Sequence, residues 1–258
     1  MTSSAQNTIA AQFRALHKPG NPLVLTNVYD AATASIVASL PNAKAVATAS
    51  FAIAATEGVY DDDMTKDQNL AAIKKIAAVV VPKNLPLTAD LQDGYEDVQD
   101  TIRQVIGLGV VGCNIEDVDS KARKLRTLED AVARVKLAVE TAKEAGVPDF
   151  AVNARTDVLG HGGSVEDAVE RGKAFLAVGA NTVFVWGGPS GRGVSRDEVK
   201  KLVAAFDGRL NVILRIAEGF LTVAELREIG VARISVGPGL YRIAMNAYKD
   251  AAEKLLGA

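Results

Sequence analysis

The sequence alternates short apolar runs with longer amphipathic stretches eight times in succession, and this alternation constrains the fold more than any other feature. The predicted strands are Leu23–Asn27, Ala43–Thr48, Leu87–Asp90, Gly112–Glu116, Phe150–Asn153, Thr182–Trp186, Asn211–Leu214 and Arg233–Val236. The predicted helices are Ala31–Leu40, Thr65–Val80, Glu96–Leu108, Thr127–Ala145, Ser164–Val178, Ser195–Phe206, Thr222–Ile229 and Leu240–Leu256, with an extra helix at Ser4–Leu16 before the first strand. Strands and helices that alternate in this way form parallel sheets covered by helices.

Eight strand–helix units without an intervening linker predict one domain, residues 1–258, folded as a (β/α)8 TIM barrel. A doubly wound sheet is the alternative, but Val28-Tyr29-Asp30-Ala31 follows the first strand where a dinucleotide-binding fold would carry G-x-G-x-x-G. Apolar residues make up 48% of the chain and aromatic residues only 5%. A core of small aliphatic side chains of this kind is typical of parallel strands that are buried on both faces.

Composition also excludes several classes of function. The formal net charge is −2 and the basic residues are scattered, which argues against a nucleic-acid partner. The lone cysteine, Cys113, lies in an apolar strand and is interpreted as a small core residue, and two histidines are too few for a histidine-rich metal site. No apolar run approaches the roughly 18 residues that span a bilayer, and the first residues do not resemble a secretory signal. We therefore expect a cytoplasmic protein without a membrane partner.

Polar residues gather where the predicted strands end, and a barrel carries its active site at these carboxyl ends. They are Asp30, Ser50, Asp90, Gln92, Asp93, Glu116, Asp117, Asn153, Arg155, Asp157, Trp186, Arg215 and Glu218. Converging carboxylates repel one another unless a cation offsets them. Mg²⁺ suits such a site, because it takes one or two carboxylates together with water and substrate oxygens. Arg155 would then hold a substrate carboxylate or phosphonate through its planar fork.

Most of these residues also have a purely structural interpretation. Asp90 and Glu116 could cap the following segments or pair with arginines. Arg155 could be an ion-pair partner of Asp157 or Asp117. Ser50 could be a turn hydroxyl, Arg215 could be structural, and Trp186 could simply pack.

Seven segments at successive strand ends together resemble the isocitrate lyase / phosphoenolpyruvate mutase superfamily over nearly the whole chain. They are Asn27-Val-Tyr-Asp-Ala31, Ala47-Thr-Ala-Ser-Phe51, Gly58-Val-Tyr-Asp61, Thr88-Ala-Asp-Leu-Gln-Asp-Gly-Tyr95, Asn114-Ile-Glu-Asp117, Asn153-Ala-Arg-Thr-Asp157 and Ile234-Ser-Val-Gly-Pro238. The resemblance implies a Mg²⁺-dependent barrel, with Mn²⁺ as an alternative metal, that makes or breaks a C–C or P–C bond next to a 2-oxo or 2-hydroxy acid through an enolate-like state.

The resemblance also implies roles for individual residues. Asp90 matches the metal-ligating aspartate, Glu116 a glutamate that orients the metal's waters, and Gln92 stands where another metal-shell acid is usual. Arg155 matches the arginine that contacts substrate, and Asp61 a loop aspartate near the site. Ser50 lies in the segment that binds the substrate carboxylate. Further substrate-binding candidates are Phe51, Tyr29, Asp30, Asn153, Trp186 and Arg215.

Two loop motifs of the superfamily are missing, because the lysine-proline loop of the mutase is not recognisable either. The lyases carry a mobile K-K-C-G-H loop whose cysteine is the catalytic acid, whereas this chain has Val118–Leu125, without cysteine or histidine. Cys113 precedes Glu116 on its strand and cannot replace that cysteine. Lys121 remains a candidate to close over an anion, although a solvated charge run explains it equally well. The superfamily commonly forms dimers or tetramers by exchanging the last helix, so Leu240–Leu256 is a candidate for exchange.

The leading hypothesis is therefore a Mg²⁺-dependent lyase- or hydrolase-like enzyme acting on a small 2-oxo or 2-hydroxy carboxylate. Phosphonopyruvate hydrolysis or phosphoryl rearrangement is a close alternative. A barrel that binds a carboxylate or a partner protein without turnover, and a lyase acting on acyl-CoA, stay open as well.

Overall fold

The computed structural model describes residues 2–188 and 193–257, and a single parallel sheet organises them. Its strands are β1 (Leu23–Leu25), β2 (Asn27–Val28), β3 (Val46–Thr48), β4 (Leu87–Asp90), β5 (Gly112–Glu116), β8 (Ala151–Thr156), β9 (Thr182–Val185), β10 (Leu210–Ile213) and β11 (Arg233–Ser235). A separate two-stranded hairpin consists of β6 (Val118–Asp119) and β7 (Lys124–Leu125).

Ten α-helices accompany the strands in the described ranges. They are α1 (Ser3–Ala15), α2 (Ala31–Ser39), α3 (Ser50–Thr56), α4 (Lys66–Val80), α5 (Val98–Gly107), α6 (Leu128–Glu144), α7 (Val165–Ala177), α8 (Arg196–Ala205), α9 (Val223–Ile229) and α10 (Gly239–Leu256). Short 3-10 helices lie at Asp61–Asp63, Val81–Lys83 and Val158–His161. Each of the eight predicted strands and nine predicted helices is present, with ends displaced by at most three residues.

The sheet closes into a barrel because its two outer members are pieces of one segment. The strand order is β1-β11-β10-β9-β8-β5-β4-β3-β2, and only Thr26 separates β1 from β2. Leu23 of β1 is paired with Arg233 of β11, and Asn27 of β2 is paired with Ala47 of β3. The first strand therefore bridges the gap, and the predicted (β/α)8 barrel is confirmed.

Helix capping explains one of the candidate site residues. Asp30 precedes α2, and its Oδ1 accepts hydrogen bonds from the Thr33 backbone N–H and hydroxyl, each at 2.7 Å. The Thr33 hydroxyl in turn accepts from the Asp30 backbone N–H, which completes a capping box. The Asp30 carboxylate is therefore used to begin a helix.

Helix α1 closes the amino-terminal end of the barrel. Phe13 is fully buried there, against Gly112 at the start of β5. A Cβ atom at Gly112 would lie 2.8 Å from Phe13 Cε1 and 2.7 Å from the Ala151 carbonyl oxygen, so only glycine allows this packing. The neighbouring Cys113 is fully buried, which confirms that it is a core residue.

Helix α10 differs from the other long helices because none of its residues is buried. Large apolar side chains on it are open to solvent, with Tyr248 exposed by 74%, Leu255 by 87% and Leu256 by 84%. Within residues 2–188 and 193–257, no helix combines the length and apolar character needed to cross a bilayer.

Two departures from the sequence prediction shape the barrel mouth. The predicted fifth strand ends at Asn153, whereas β8 continues to Thr156, because Arg155 is paired in register with Glu116 of β5. The segment Val118–Leu125, expected as a loop, forms the β6–β7 hairpin. An Asp119 carboxylate that accepts from the Lys121 and Ala122 backbone N–H groups stabilises its turn.

Candidate active site

A cavity of about 790 Å³ opens at the carboxyl ends of the barrel strands. Its size lies within the range of small-molecule sites. The predicted site residues that line it are Ser50, Phe51, Asp61, Asp90, Glu116, Arg155, Trp186 and Arg215. The barrel thus brings together side chains from six strand ends and the loops that follow them.

Asp90, the last residue of β4, carries an unpartnered oxygen at this cavity. Its Oδ2 accepts a hydrogen bond from the Ser50 backbone N–H at 3.1 Å, and its own N–H donates to Thr48 Oγ1 at 2.8 Å. Its Oδ1 is buried without a hydrogen-bond partner among the residues described. Leaving a buried carboxylate oxygen unsatisfied is costly, so this atom is available to bind a cation or to accept a hydrogen bond from a molecule in the cavity.

Asp61 lies beside Asp90 and is held by two neighbours. Gln92 Nε2 donates to the Asp61 carbonyl oxygen at 2.6 Å and to its Oδ1 at 3.1 Å, and the Ser50 hydroxyl also hydrogen-bonds the Asp61 side chain. Burial, reinforced by the charge of Asp90, raises the pKa of Asp61 to about 6. A carboxyl group that titrates near neutral pH is suited to proton transfer.

Gln92 occupies an unusual backbone conformation at the centre of this arrangement. Its φ is +51°, a left-handed value that is uncommon for residues other than glycine. In this conformation its carbonyl oxygen accepts from the Glu116 N–H at 2.8 Å while its side-chain amide reaches Asp61. The structure therefore places the Gln92 amide on the Asp61 loop.

Arg155 links the carboxylates on the opposite side of the cavity. Its Nε and Nη2 atoms each lie 2.6 Å from a carboxylate oxygen of Asp157, and its Nη1 lies 2.9 Å from Glu116 Oε2. The guanidinium carbon stacks 4.7 Å from the centre of the Trp186 ring. Burial raises the pKa of Glu116 well above its usual range, although the charge of Arg155 opposes this. Arg155 is thus an ion-pair partner of Glu116 and Asp157, and it also lines the cavity.

Arg155 does not exhaust its hydrogen-bonding capacity in these pairs. A guanidinium has five N–H donors, and the three contacts above use three of them. Two donors remain for an anion in the cavity. Arg215, on another side of the cavity, has a buried Nε with no described hydrogen-bond partner, and its guanidinium carbon lies 5.5 Å from the Phe220 ring centre.

The carboxylates fit a metal that needs few protein ligands. In the parts of the chain that the structure describes, no three His, Cys, Asp or Glu side chains are grouped to hold a metal by themselves. Mg²⁺ does not need such a cage, because it retains waters and binds substrate oxygens. Asp90 Oδ1 could ligate it directly, with Glu116 and Asp61 reaching it through water.

Five predicted site residues do not line the cavity, and one of them is Gln92, whose side-chain amide bonds Asp61 instead. Tyr29 is buried and packs edge-on against Tyr241, with ring centres 5.1 Å apart. Asp30 caps α2, and Asn153 is buried inside the barrel. Lys121 has a largely exposed side chain, and its Nζ lies 2.5 Å from Glu96 Oε1.

Sequence reasoning missed other residues that line the cavity, including Asn114, Ser235, His161 and Arg242. The signal for Asn114 is the two-residue period of a strand, which puts it on the same face as Glu116. Arg242 comes from α10 and stacks 5.2 Å from the Phe51 ring centre. A contact between residues so distant in sequence has no local signal.

The fold and this site define a (β/α)8-barrel protein with a carboxylate-rich cavity at the mouth of the barrel. Residues 13–256 match the family model described as phosphoenolpyruvate phosphomutase, and the chain belongs to this family.

Individual relatives agree with the family assignment. An uncharacterized protein of Mycobacterium tuberculosis (strain CDC 1551 / Oshkosh) is 31% identical over 93% of this chain and 87% of its own length. The 2,3-dimethylmalate lyase of Eubacterium barkeri is 27% identical over 86% of this chain and 77% of its own length. A protein of Burkholderia cenocepacia J2315, provisionally assigned as a phosphonomutase, is 36% identical to this chain. Its crystal structure superposes with a TM-score of 0.86, and the match covers 98% of this chain and 100% of that protein.

Proposed function

We propose that this protein is a Mg²⁺-dependent enzyme that cleaves a C–C bond next to the 2-oxo or 2-hydroxy group of a small carboxylate. The observation that carries the proposal is the buried, unpartnered Oδ1 of Asp90 at the wall of the barrel-mouth cavity. A relative named for lyase action on 2,3-dimethylmalate, a 2-hydroxy diacid, supports this class of substrate. Mn²⁺ would serve as an alternative metal.

The residues of this chain then take distinct roles. Asp90 would ligate the metal and Glu116 and Asp61 would accept hydrogen bonds from its waters, while Gln92 holds the Asp61 loop in place. When bound, the metal supplies Lewis-acid stabilisation of negative charge that develops on the substrate oxygen. Asp61, with its pKa near 6, can accept or return a proton.

Binding of the substrate anion falls to groups on the cavity wall. We assign the two remaining donors of Arg155 to the reacting end of the anion, and Ser50, whose hydroxyl hydrogen-bonds Asp61, lines the same cavity. Phe51 and Trp186 supply apolar surface, and Arg215 is a cation for a second carboxylate. Lys121 stays a prediction, although its hairpin contributes Val118, Ser120 and Arg123 to the same cavity.

Phosphonate chemistry is the second candidate, because the matching family model is described as a phosphomutase and the Burkholderia cenocepacia relative is provisionally assigned to phosphonate chemistry. The same pocket would hold phosphonopyruvate, with P–C in place of C–C cleavage or rearrangement.

A product assay tests the proposal. The purified protein is incubated with Mg²⁺ and, separately, oxaloacetate, 2-methylisocitrate, citramalate, 2,3-dimethylmalate or phosphonopyruvate, and products are followed by NMR. We expect a 2-oxo acid or oxalate from one of the carboxylates, and loss of turnover when EDTA removes the metal. Inorganic phosphate from phosphonopyruvate would favour the second candidate. Binding without any product across the panel would favour a barrel that has lost catalysis.

Helix α10 supports a further part of the proposal, that the protein forms homodimers or homotetramers. Its exposed Tyr248, Leu255 and Leu256 side chains would be covered by a second copy of this chain. We expect the double variant Tyr248→Glu/Leu255→Glu to be a monomer in size-exclusion chromatography with light scattering. The control is Lys249→Ser/Glu253→Ser, which removes only a surface ion pair on the same helix. A wild-type monomer, or an unchanged mass in the first variant, would contradict this assignment.

A further inference from the structure

A layer of buried polar side chains lies inside the barrel, next to the barrel-mouth cavity. It contains Asn114, Asn153, Thr182, Asn211, Arg233 and Ser235, each exposed by 7% or less. Of these, Asn114 and Ser235 also line the cavity. Polar groups in a barrel interior are costly unless each finds a partner, so their hydrogen bonds indicate what the layer does.

Arg233 is the charged member of this layer; it forms no ion pair among the described residues, although the nearby charge of Asp90 favours its cationic form. Its exposed fraction is 1%, and no carboxylate oxygen of the described residues lies within 4.0 Å of its guanidinium. Its Nη2 donates to Asn114 Oδ1 at 3.2 Å and its Nε donates to Ser235 Oγ at 3.4 Å. Burial lowers the pKa of Arg233 to about 10, so the group remains a cation at neutral pH.

This cation determines which way the Asn114 amide points. A guanidinium has donors and no acceptor, so the Asn114 atom that faces it must be the oxygen. Asn153 Nδ2 donates to the same oxygen at 2.8 Å, and Thr182 donates to Asn153 Oδ1 at 2.6 Å. The successive hydrogen bonds from Thr182 to Asn153 and from Asn153 to Asn114 thus end, like the one from Arg233, on Asn114 Oδ1. Its Nδ2 has no acceptor in the described structure, although the residue lines the cavity.

The position of Asn114 makes this free amide useful. Asn114 is the register partner of Asp90 on the adjacent strand and precedes Glu116 by two residues on the same face of β5. Its Nδ2 group is therefore an uncharged donor next to the carboxylates assigned to the metal. A donor at this place suits an oxygen that carries negative charge, and an inverted amide would repel it.

We propose that Asn114 donates a hydrogen bond from Nδ2 to a negatively charged oxygen of the bound 2-oxo acid or its enolate, and that Arg233 is the positioning residue that holds the amide in this orientation. This inference rests on the proposed function, because it assumes that the anion binds in the barrel-mouth cavity. It adds to that function a donor that is neither the metal nor a cationic side chain.

Binding of oxalate tests the inference, because oxalate carries the two adjacent oxygens of a planar 2-oxo acid. Oxalate affinity is measured by calorimetry in the presence of Mn²⁺, and Mn²⁺ affinity alone by electron paramagnetic resonance. Asn114→Leu removes the donor while it preserves the approximate shape of the side chain and adds no charge next to the anion. We expect it to bind oxalate about 10- to 100-fold more weakly, since hydrogen bonds to charged groups have this strength.

Arg233 variants separate orientation from a general structural role. Arg233→Met should weaken oxalate binding about tenfold, and Arg233→Lys, which retains a cationic donor, should restore most of it. Because Arg233 acts through Asn114, the effect of Arg233→Met on oxalate affinity should nearly vanish in the Asn114→Leu background, where no amide is left to orient, whereas a purely structural loss would add to it. Thermal unfolding of each variant shows whether it is folded.

Several outcomes would overturn the inference without touching the proposed function. These are wild-type oxalate affinity in Asn114→Leu, additive effects in the double variant, or a wild-type protein that binds Mn²⁺ but no oxalate. Conversely, the predicted losses in a protein that turns over none of the assayed acids would support the inference while the proposed activity fails.

Discussion

Replacing Asp90 with alanine is expected to abolish Mg²⁺ binding and turnover while the barrel stays folded. Its buried Oδ1 is the atom that we assign to the metal, and loss of the metal removes several kcal/mol of transition-state stabilisation. Since each 1.36 kcal/mol is a factor of ten in rate, kcat/KM should fall by at least about 10³-fold. Metal affinity is measured by calorimetry and folding by circular dichroism.

The same substitution should not lower the melting temperature much. Asp90 lies in a buried site close to Asp61, and its charge contributes to raising the pKa of that neighbour. Removing it relieves repulsion between the two carboxylates, which offsets the loss of the hydrogen bond from the Ser50 N–H. In Asp90→Asn, which preserves the shape, the pKa of Asp61 should move down toward its ordinary value.

Asp63→Asn is the matched control for the Asp90 variants. Asp63 is a nearby exposed carboxylate that pairs with Arg123, and it does not line the cavity. It should leave metal affinity and kcat/KM within about twofold of wild type, since an exposed ion pair contributes little. Unchanged Mg²⁺ affinity in Asp90→Ala would refute the metal assignment.

Replacing Arg155 with methionine is expected to cause the largest loss of stability. Arg155 is enclosed by Glu116, Asp157 and Trp186, and its removal leaves two buried carboxylates without their cation. Breaking a buried ion pair by removing one partner costs about 3–5 kcal/mol. Urea denaturation at pH 7.5 measures this loss, and activity should disappear with it because the substrate anion loses its donors.

The loss in Arg155→Met should shrink as the pH falls. Burial already raises the pKa of Glu116 in the folded wild-type protein, and removal of Arg155 raises it further. A carboxyl whose folded-state pKa exceeds its unfolded value binds its proton more tightly in the folded state, so lowering the pH favours folding. The variant should therefore lose less free energy of unfolding, relative to wild type, at pH 5.5 than at pH 7.5.

Arg123→Met is the control for this stability measurement. Arg123 also contacts two carboxylates, Asp62 and Asp63, but its side chain is 61% exposed. The variant should lose less than about 1 kcal/mol, with little change between the two pH values. Equal losses of unfolding free energy in Arg123→Met and Arg155→Met would contradict the conclusion that Arg155 stabilises the buried carboxylates of Glu116 and Asp157.

Much of the candidate site could be predicted from sequence because it depends on local patterns. Asp90, Glu116 and Arg155 were expected at the barrel mouth because each lies at the end of an apolar run, and parallel strands all end on the same side of a barrel. The prediction was weaker where the pattern was short. Helix α3 and the β6–β7 hairpin were missed. The helix has seven residues and each strand of the hairpin has two, which is too short to show a helical or strand periodicity in the sequence.

Other features depend on contacts between distant segments, and no local pattern reports them. Both interpretations of Arg155, as an ion-pair partner and as a substrate contact, followed from the sequence, and only the distances show that Glu116 and Asp157 occupy three of its donors. The role of Gln92 changed in a similar way, because its left-handed backbone turns the amide toward the Asp61 loop. Arg233 appeared to be an ordinary residue at the start of a strand.

The order of apolar and polar residues by itself determined the barrel, its strand and helix succession, and the set of acidic and basic side chains at its mouth. Those properties follow from periods of two and 3.6 residues, which act within each segment. Only the tertiary structure decided which carboxylate remained unpaired and which way the Asn114 amide faced. These outcomes depend on donor and acceptor atoms meeting within about 3 Å across strands that are far apart in the chain, and one buried guanidinium settles the direction of several hydrogen bonds at once.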